Sequence, residues 1–227
     1  MDFLRQLNLA PPETLAAVPV TIIGCGAIGS FAALAMAKSG FSKFTLYDAD
    51  DVAAHNLPVQ FFRRADLGKP KADVTAEMIR DFGGATVTAH ARHFEESDSA
   101  ERGIAILATD TIASRAMAYH ALLASGIDAL IDARMGAEVL RALYVPMNVE
   151  SWRKRYEAEL HPSEESEQAP CTARSIIYTV LGAASVIANM AKRHAMRQAL
   201  PPEVVMDFKT FESFVFVNPD AQAADSH

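Results

Sequence analysis

The sequence predicts an α/β fold: a Rossmann-like, mostly parallel sheet with helices on both faces and closing antiparallel strands near the C-terminus. Three observations predict it. Short apolar runs alternate with longer helical patterns, which is the rhythm of βαβ units. A glycine-rich loop, Gly24-Cys25-Gly26-Ala27-Ile28-Gly29, joins the first apolar run to the first long helical pattern. Half of the residues are apolar, enough to fill a core covered on both faces of a sheet.

Val18 to Ile23 is a short apolar run that ends at Gly24 and reads as a buried strand. Ile28 to Ser39 is rich in Ala, Leu and Met and stops at Gly40, as helices do. Phe44 to Tyr47 is the second strand, closed by Asp48. Lys71 to Phe82 has helical spacing and ends at Gly83-Gly84. Thr86 to Ala89 and Ile104 to Ala108 are the third and fourth strands. Ile112 to Ser125 is a helix closed by Gly126. Ala129 to Ile131 and Val139 to Val145 are further strands. Ser151 to Pro170 is polar and acidic without an apolar period, and reads as an exposed crossing segment. A stretch of that length inside a domain is uncommon and often functional. Thr172 to Arg197 predicts a long buried helix, and Val204 to Phe208 with Ser213 to Val217 a closing strand pair. No internal repeat is visible.

The 227 residues suit one domain, divided as a nucleotide-binding core (1–149), a crossover loop (150–171), and a buried helix with closing strands (172–227). The net charge of −7 argues against nucleic acid as a partner, because such binders concentrate Lys and Arg to displace counterions. Two cysteines, Cys25 and Cys171, are too few for a disulfide framework or a four-cysteine zinc site. Ser175 to Ala191 is uncharged but shorter than the about 20 apolar residues of a spanning helix, and it contains Ser175, Thr179, Ser185 and Asn189. The N-terminus lacks the basic-then-apolar pattern of a signal peptide. The expectation is a cytoplasmic protein with no membrane contact.

The glycine loop carries the first functional signal. Gly24 allows a tight turn, Gly26 lets the backbone approach a phosphate, and Gly29 lets the helix pack against the strand. Phosphate then sits on the open N–H groups and positive end of the helix. Ala27 and Ile28 belong to the same cradle. Asp48 ends the second strand about 20 residues on, where a carboxylate accepts hydrogen bonds from ribose hydroxyls. This much is shared by NAD and ATP sites.

The motifs beyond the loop narrow the choice. Asp48-Ala49-Asp50, Asn56-Leu57-Pro58-Val59-Gln60, Gly68-Lys69-Pro70-Lys71 and Ala108-Thr109-Asp110 come in order. The set resembles the ThiF/MoeB superfamily, which includes the ubiquitin-activating enzymes, from about Val18 to Val145 with weaker echoes to Val217. The resemblance implies ATP and Mg2+ as cofactors and adenylation of a carboxylate, that of a ubiquitin-like or sulfur-carrier protein. By that likeness Asp48 holds the ribose, while Asp50, Asn56, Gln60 and Thr109 line the nucleotide site. Lys71 meets the phosphates and Asp110 holds Mg2+; Asp110 could equally cap the helix at Ile112. Arg5 resembles an N-terminal arginine that reaches a phosphate from a neighbouring subunit, which implies a homodimer. Cys171, in the crossing segment, resembles the cysteine that takes the acyl group as a thioester. A cysteine at a helix start has more thiolate to do so.

Two departures stand out. The arginine of the family's N-L-x-R-Q is Val59, and Arg63, Arg64 or Lys69 are the candidate replacements. The family's paired C-x-x-C motifs are absent, so no structural zinc is expected. Arg134 lies at the end of the Ala129 to Ile131 strand, placed either to face substrate or to pair with Asp132. His90 and His93 are not at metal spacing without further ligands, and none of the seven histidines receives a role. An NAD-dependent oxidoreductase and a non-catalytic nucleotide-binding partner subunit are the rival readings.

Overall fold

Two four-residue apolar strands, Val20–Ile23 (β1) and Ile104–Leu107 (β4), are buried at every position. Strands buried on both faces belong in the middle of a covered sheet, and there they lie. In this computed structural model, residues 2–160 and 175–216 are described. Lys43–Tyr47 (β2) and Thr86–His90 (β3) extend the sheet on one side of β1. Ala129–Gly136 (β5), Val139–Pro146 (β6), Glu203–Asp207 (β7) and Glu212–Phe216 (β8) extend it beyond β4. The order is β3-β2-β1-β4-β5-β6-β7-β8. Pairing is parallel from β3 to β5 and antiparallel from β5 to β8.

Successive side chains of a strand point to opposite faces, which sorts the core into two layers. Ile22, Leu46, Ile106 and Ile131 share one layer with Met36, Ile79, Val180 and Ile187. Those four come from the helices Ala27–Ser39 (α2), Lys71–Gly83 (α3) and Ile177–Ala195 (α6). Ile23, Leu107 and Leu130 share the other layer with Tyr119, Leu122 and Tyr156. These stand on Ile112–Ser125 (α4) and Glu150–Ala158 (α5). A short helix, Pro12–Ala16 (α1), precedes β1. Among the described residues, no helix is long and apolar enough to cross a membrane.

The crossing segment differs from its expected form. It begins with α5 rather than with loop. Trp152 and Tyr156 are four apart and so share one helix face; Tyr156 is fully buried. Only two apolar residues anchor α5, too few to show a helical period in sequence. Polar bonds do the rest: Tyr156 donates to Asp132 at 2.9 Å and Arg155 to Glu203 at 2.7 Å. Residues 161–174, Cys171 among them, lie outside the described residues. The fifth strand also runs longer than expected, through Asp132 and Arg134 to Gly136.

Candidate nucleotide site

The chain crosses from β1 outward to β2 and β3, then returns past β1 to β4. Such a reversal leaves a crevice outside the carboxyl ends of the strands. A cavity of about 580 Å³ opens there, within the usual range of small-molecule sites. Gly24, Asp48 and Thr109 reach it from the ends of β1, β2 and β4, and Ser175 from the start of the described C-terminal part.

The glycine loop is built for close approach. Gly24 has φ +96°, and a Cβ on it would come within 2.6 Å of the Ala108 carbonyl oxygen. A Cβ on Gly29 would run into the Gly24 carbonyl. Gly26 caps α2 without a side-chain hydrogen bond, so the first N–H groups of the helix stay open to a ligand. Ala27 and Ile28 line the cavity beside it. Gly29→Ala is therefore expected to cost about 1–3 kcal/mol by overpacking and to lower the melting temperature by several degrees. An unchanged melting temperature would show that the loop tolerates a side chain there.

Asp48 braces this loop. Its carboxylate accepts from the Cys25 N–H at 2.6 Å and from the Asp50 N–H at 2.9 Å. Each oxygen retains a lone pair, so a ribose hydroxyl can still donate to it. Burial raises the Asp48 pKa, against the lowering effect of those two N–H groups.

Lys71 opens α3 and is buried, with its side chain only 7% exposed. Its ammonium donates to Asp50 at 2.7 Å. Both line the cavity. Asp110 does not cap α4: the cap is Thr111, whose hydroxyl accepts from the Ser114 N–H at 3.1 Å. Asp110 therefore lines the cavity with no hydrogen bond or ion pair among the described residues. Burial raises its pKa, against the pull of Lys71 and Arg115. The neighbouring Thr109 accepts from the Ser114 hydroxyl at 2.9 Å.

Asn56 and Gln60 lie on a turn folded over the loop. The Asn56 side-chain oxygen accepts from the Ala53 N–H at 2.8 Å, and its backbone carbonyl from the Gln60 N–H at 2.9 Å. The Phe61 N–H donates to Ser30 of α2 at 3.1 Å, pinning the turn to the helix. The Gln60 Oε1 atom is buried without a hydrogen-bond partner among the described residues. A buried acceptor left unpaired costs about 1–3 kcal/mol, so a ligand donor would satisfy it.

The candidate replacements for the arginine at Val59 do not reach the cavity. Val59 itself lines it. Arg63 and Lys69 both bond Asp66, at 2.8 and 3.3 Å, and Arg64 is exposed away from the cavity wall. Asp66, drawn down to about 2 by those donors, holds this cluster outside the site. Arg134 pairs with Asp132 at 2.8 Å and approaches Glu159 at 3.6 Å rather than facing the cavity. Arg5 is exposed on the turn Leu4–Gln6 and does not line its own chain's cavity.

Among the described residues, sequence reasoning missed polar wall residues that include His55, His93, Thr111, Ser114 and Arg115. Arg115 is buried and bonds Asp132 and the carbonyl oxygens of Leu107, Thr109 and Ala133. An arginine in the first turns of the helix after an Asp-bearing strand end was the available signal. The histidines left none, being single residues in irregular segments.

Comparison with known proteins agrees with this fold. A stretch of 81 residues is 38% identical to the NEDD8-activating enzyme E1 catalytic subunit of Dictyostelium discoideum, covering 35% of this chain and 18% of that protein. Another, of 70 residues, is 40% identical to the tRNA threonylcarbamoyladenosine dehydratase of Bacillus subtilis, covering 30% of this chain and 28% of that protein. The matches thus span under a third of these relatives. Among solved structures, E. coli MccB with ATP superposes at TM-score 0.69 over 92% of this chain and 67% of that one, with 19% identity. PaaA superposes at 0.70 over 89% and 64%, with 18% identity. The model of the ThiF family matches residues 4–219. The chain belongs to the ThiF family.

Proposed function

We propose that the chain binds ATP in this cavity and adenylates a carboxylate, the C-terminus of a small ubiquitin-like or sulfur-carrier protein. The observation that carries this reading is one wall holding an open helix N-terminus, a buried lysine and an uncommitted carboxylate. The orphan Gln60 Oε1 supports a ligand that donates hydrogen bonds there. Relatives named for activating NEDD8 support the substrate class.

In the reaction, a carboxylate oxygen attacks the α-phosphorus, the bond to the β-phosphate oxygen breaks, and pyrophosphate leaves. Anions converge, so fixed cations and N–H donors must meet the growing charge. Lys71 and the α2 N–H groups would supply these. Asp48 holds the ribose. Asp110 offers the hard oxygen that Mg2+ takes, and a bound Mg2+ would neutralise phosphate charge. A thioester at Cys171, releasing AMP, would follow; Ser175, four residues along the chain, lines the cavity. Cys171→Ala should keep adenylation and lose the thioester.

The proposed role of Arg5 needs a second copy of the chain. Leu4, Leu7 and Leu9 are exposed around it, an apolar patch suited to protein contact. Mixing inactive Arg5→Ala and Lys71→Ala chains should restore about a quarter of the activity, through mixed dimers with one intact site. No restoration would sink the shared site.

The rival readings separate by calorimetry. ATP with Mg2+ should bind at one site per chain, and NAD should not compete. Tight NAD binding without ATP binding would support an oxidoreductase instead. ATP binding without adenylation of any carrier would support a non-catalytic partner subunit.

A further inference from the structure

Among the described residues, the cavity wall is short of positive charge for a triphosphate. Three carboxylates line it: Asp48, Asp50 and Asp110. Its two permanent cations are both committed, Lys71 to Asp50 and Arg115 to Asp132 and backbone carbonyls. Among the described residues, the other basic side chains on the wall are His55 and His93. Neither imidazole makes a hydrogen bond or ion pair with a described residue.

Their positions differ. His55 belongs to the turn that folds over the glycine loop. Its neighbour Asn56 accepts from Gln60, and the Gln60 side-chain nitrogen lies 3.7 Å from where a Gly26 Cβ would stand. Val59, four residues beyond His55, also lines the cavity. The turn is thus held against the α2 N-terminus, whose open N–H groups suit a phosphate. His93 comes after β3, which pairs only with β2. It joins the wall with Phe94, whose ring packs on Tyr47 at the end of β2, next to Asp48.

We propose that His55 is a catalytic residue, donating an imidazole N–H to the phosphates that leave as pyrophosphate. The proposal rests on the ATP reading above. An imidazole donates an N–H in either protonation state. The donor remains on the leaving group as charge builds there, so it acts on both binding and rate. No bond to His55 forms or breaks.

The test is calorimetry of the full chain with ATP plus Mg2+ and, separately, with AMP. Four proteins are compared: wild type, His55→Ala, His55→Lys and His93→Gln. Loss of a hydrogen bond to a charged group is worth about tenfold or more in affinity. His55→Ala, which removes the donor, should weaken ATP by at least that factor and AMP by less than about twofold. His55→Lys, which keeps a cation, should stay close to wild type for ATP. His93→Gln should change ATP and AMP affinity by the same factor. Because His55 is exposed, thermal melts of its variants should match wild type. Unchanged ATP affinity in His55→Ala, or equal losses for ATP and AMP, overturns the role of His55 and leaves the ATP reading standing. A wild-type chain that binds no ATP overturns both.

Discussion

Lys71→Ala is expected to lower adenylation by about 100- to 1000-fold while leaving the fold intact. The two halves of that result have separate causes. Lys71 is buried on the cavity wall, and its ammonium is bonded to Asp50. In the reaction it would face the phosphates, where a fixed cation in a partly dry site acts most strongly on developing charge. Its structural role is small by comparison. The Asp50 side chain is 66% exposed, so losing the pair leaves a solvated carboxylate, and such pairs contribute about 0–1 kcal/mol. Alanine is also the best helix former for the first turn of α3. Exchange of labelled pyrophosphate into ATP, run beside a thermal melt, checks both halves. A variant that keeps full exchange would remove Lys71 from the chemistry, and one that unfolds at wild-type working temperatures would show Lys71 to be a folding residue.

Asp132→Ala is expected to have the largest effect on stability. Asp132 is fully buried. It bonds Arg115, accepts from Arg134 at 2.8 Å and from the Tyr156 hydroxyl at 2.9 Å. Removing one member of a buried ion cluster strands the others, at a cost of about 3–5 kcal/mol. For a chain of this size that is a fall in melting temperature of roughly 6–20 °C. Arg115 holds the carbonyl of Thr109, next to Asp110. Tyr156 is the anchor of α5. The substitution should therefore loosen the cavity edge and the helix together, and protease cleavage near α5 should rise. A melting temperature within about 2 °C of wild type, a loss of no more than about 1 kcal/mol, would contradict the burial of an intact cluster.

The same cluster explains where sequence and structure part. The β1, β2 and β4 strands and the α2, α3 and α4 helices were legible because their stabilisation is local and apolar. A left-handed glycine closes each of α2, α3 and α4, and apolar period does the rest. Helix α5 was not legible because its hold on the sheet is polar and long-range. Arg141 bonds Glu159 at 2.6 Å, and Arg155 reaches Glu203, 48 residues away. No short window of sequence contains both partners. Strand β5 was read short for a related reason: Asp132 and Arg134 look like a strand end until their mutual pairing is seen.

The site divides in the same way. Gly24, Gly26, Gly29, Asp48, Asp50, Asn56, Gln60, Lys71, Thr109 and Asp110 sit in ordered motifs, and the fold brings them to one cavity apart from Gly29, which packs beneath the loop. Thr111 displaces Asp110 as the α4 cap, which is what leaves the Asp110 carboxylate uncommitted. His55 and His93 carried no motif, since a histidine in a loop is ordinary until the walls around it are known. Arg5 stays apart from the cavity of its own chain.

Pyrophosphate exchange tests the central claim most directly. The purified chain, ATP, Mg2+ and a small carrier protein with a free C-terminal carboxylate are incubated with labelled pyrophosphate. The account predicts that label enters ATP only when the carrier is present, and that removing the carrier's last residues abolishes it. Release of ADP and phosphate with no label in ATP, across carriers that bind the chain, would contradict adenylation at this site.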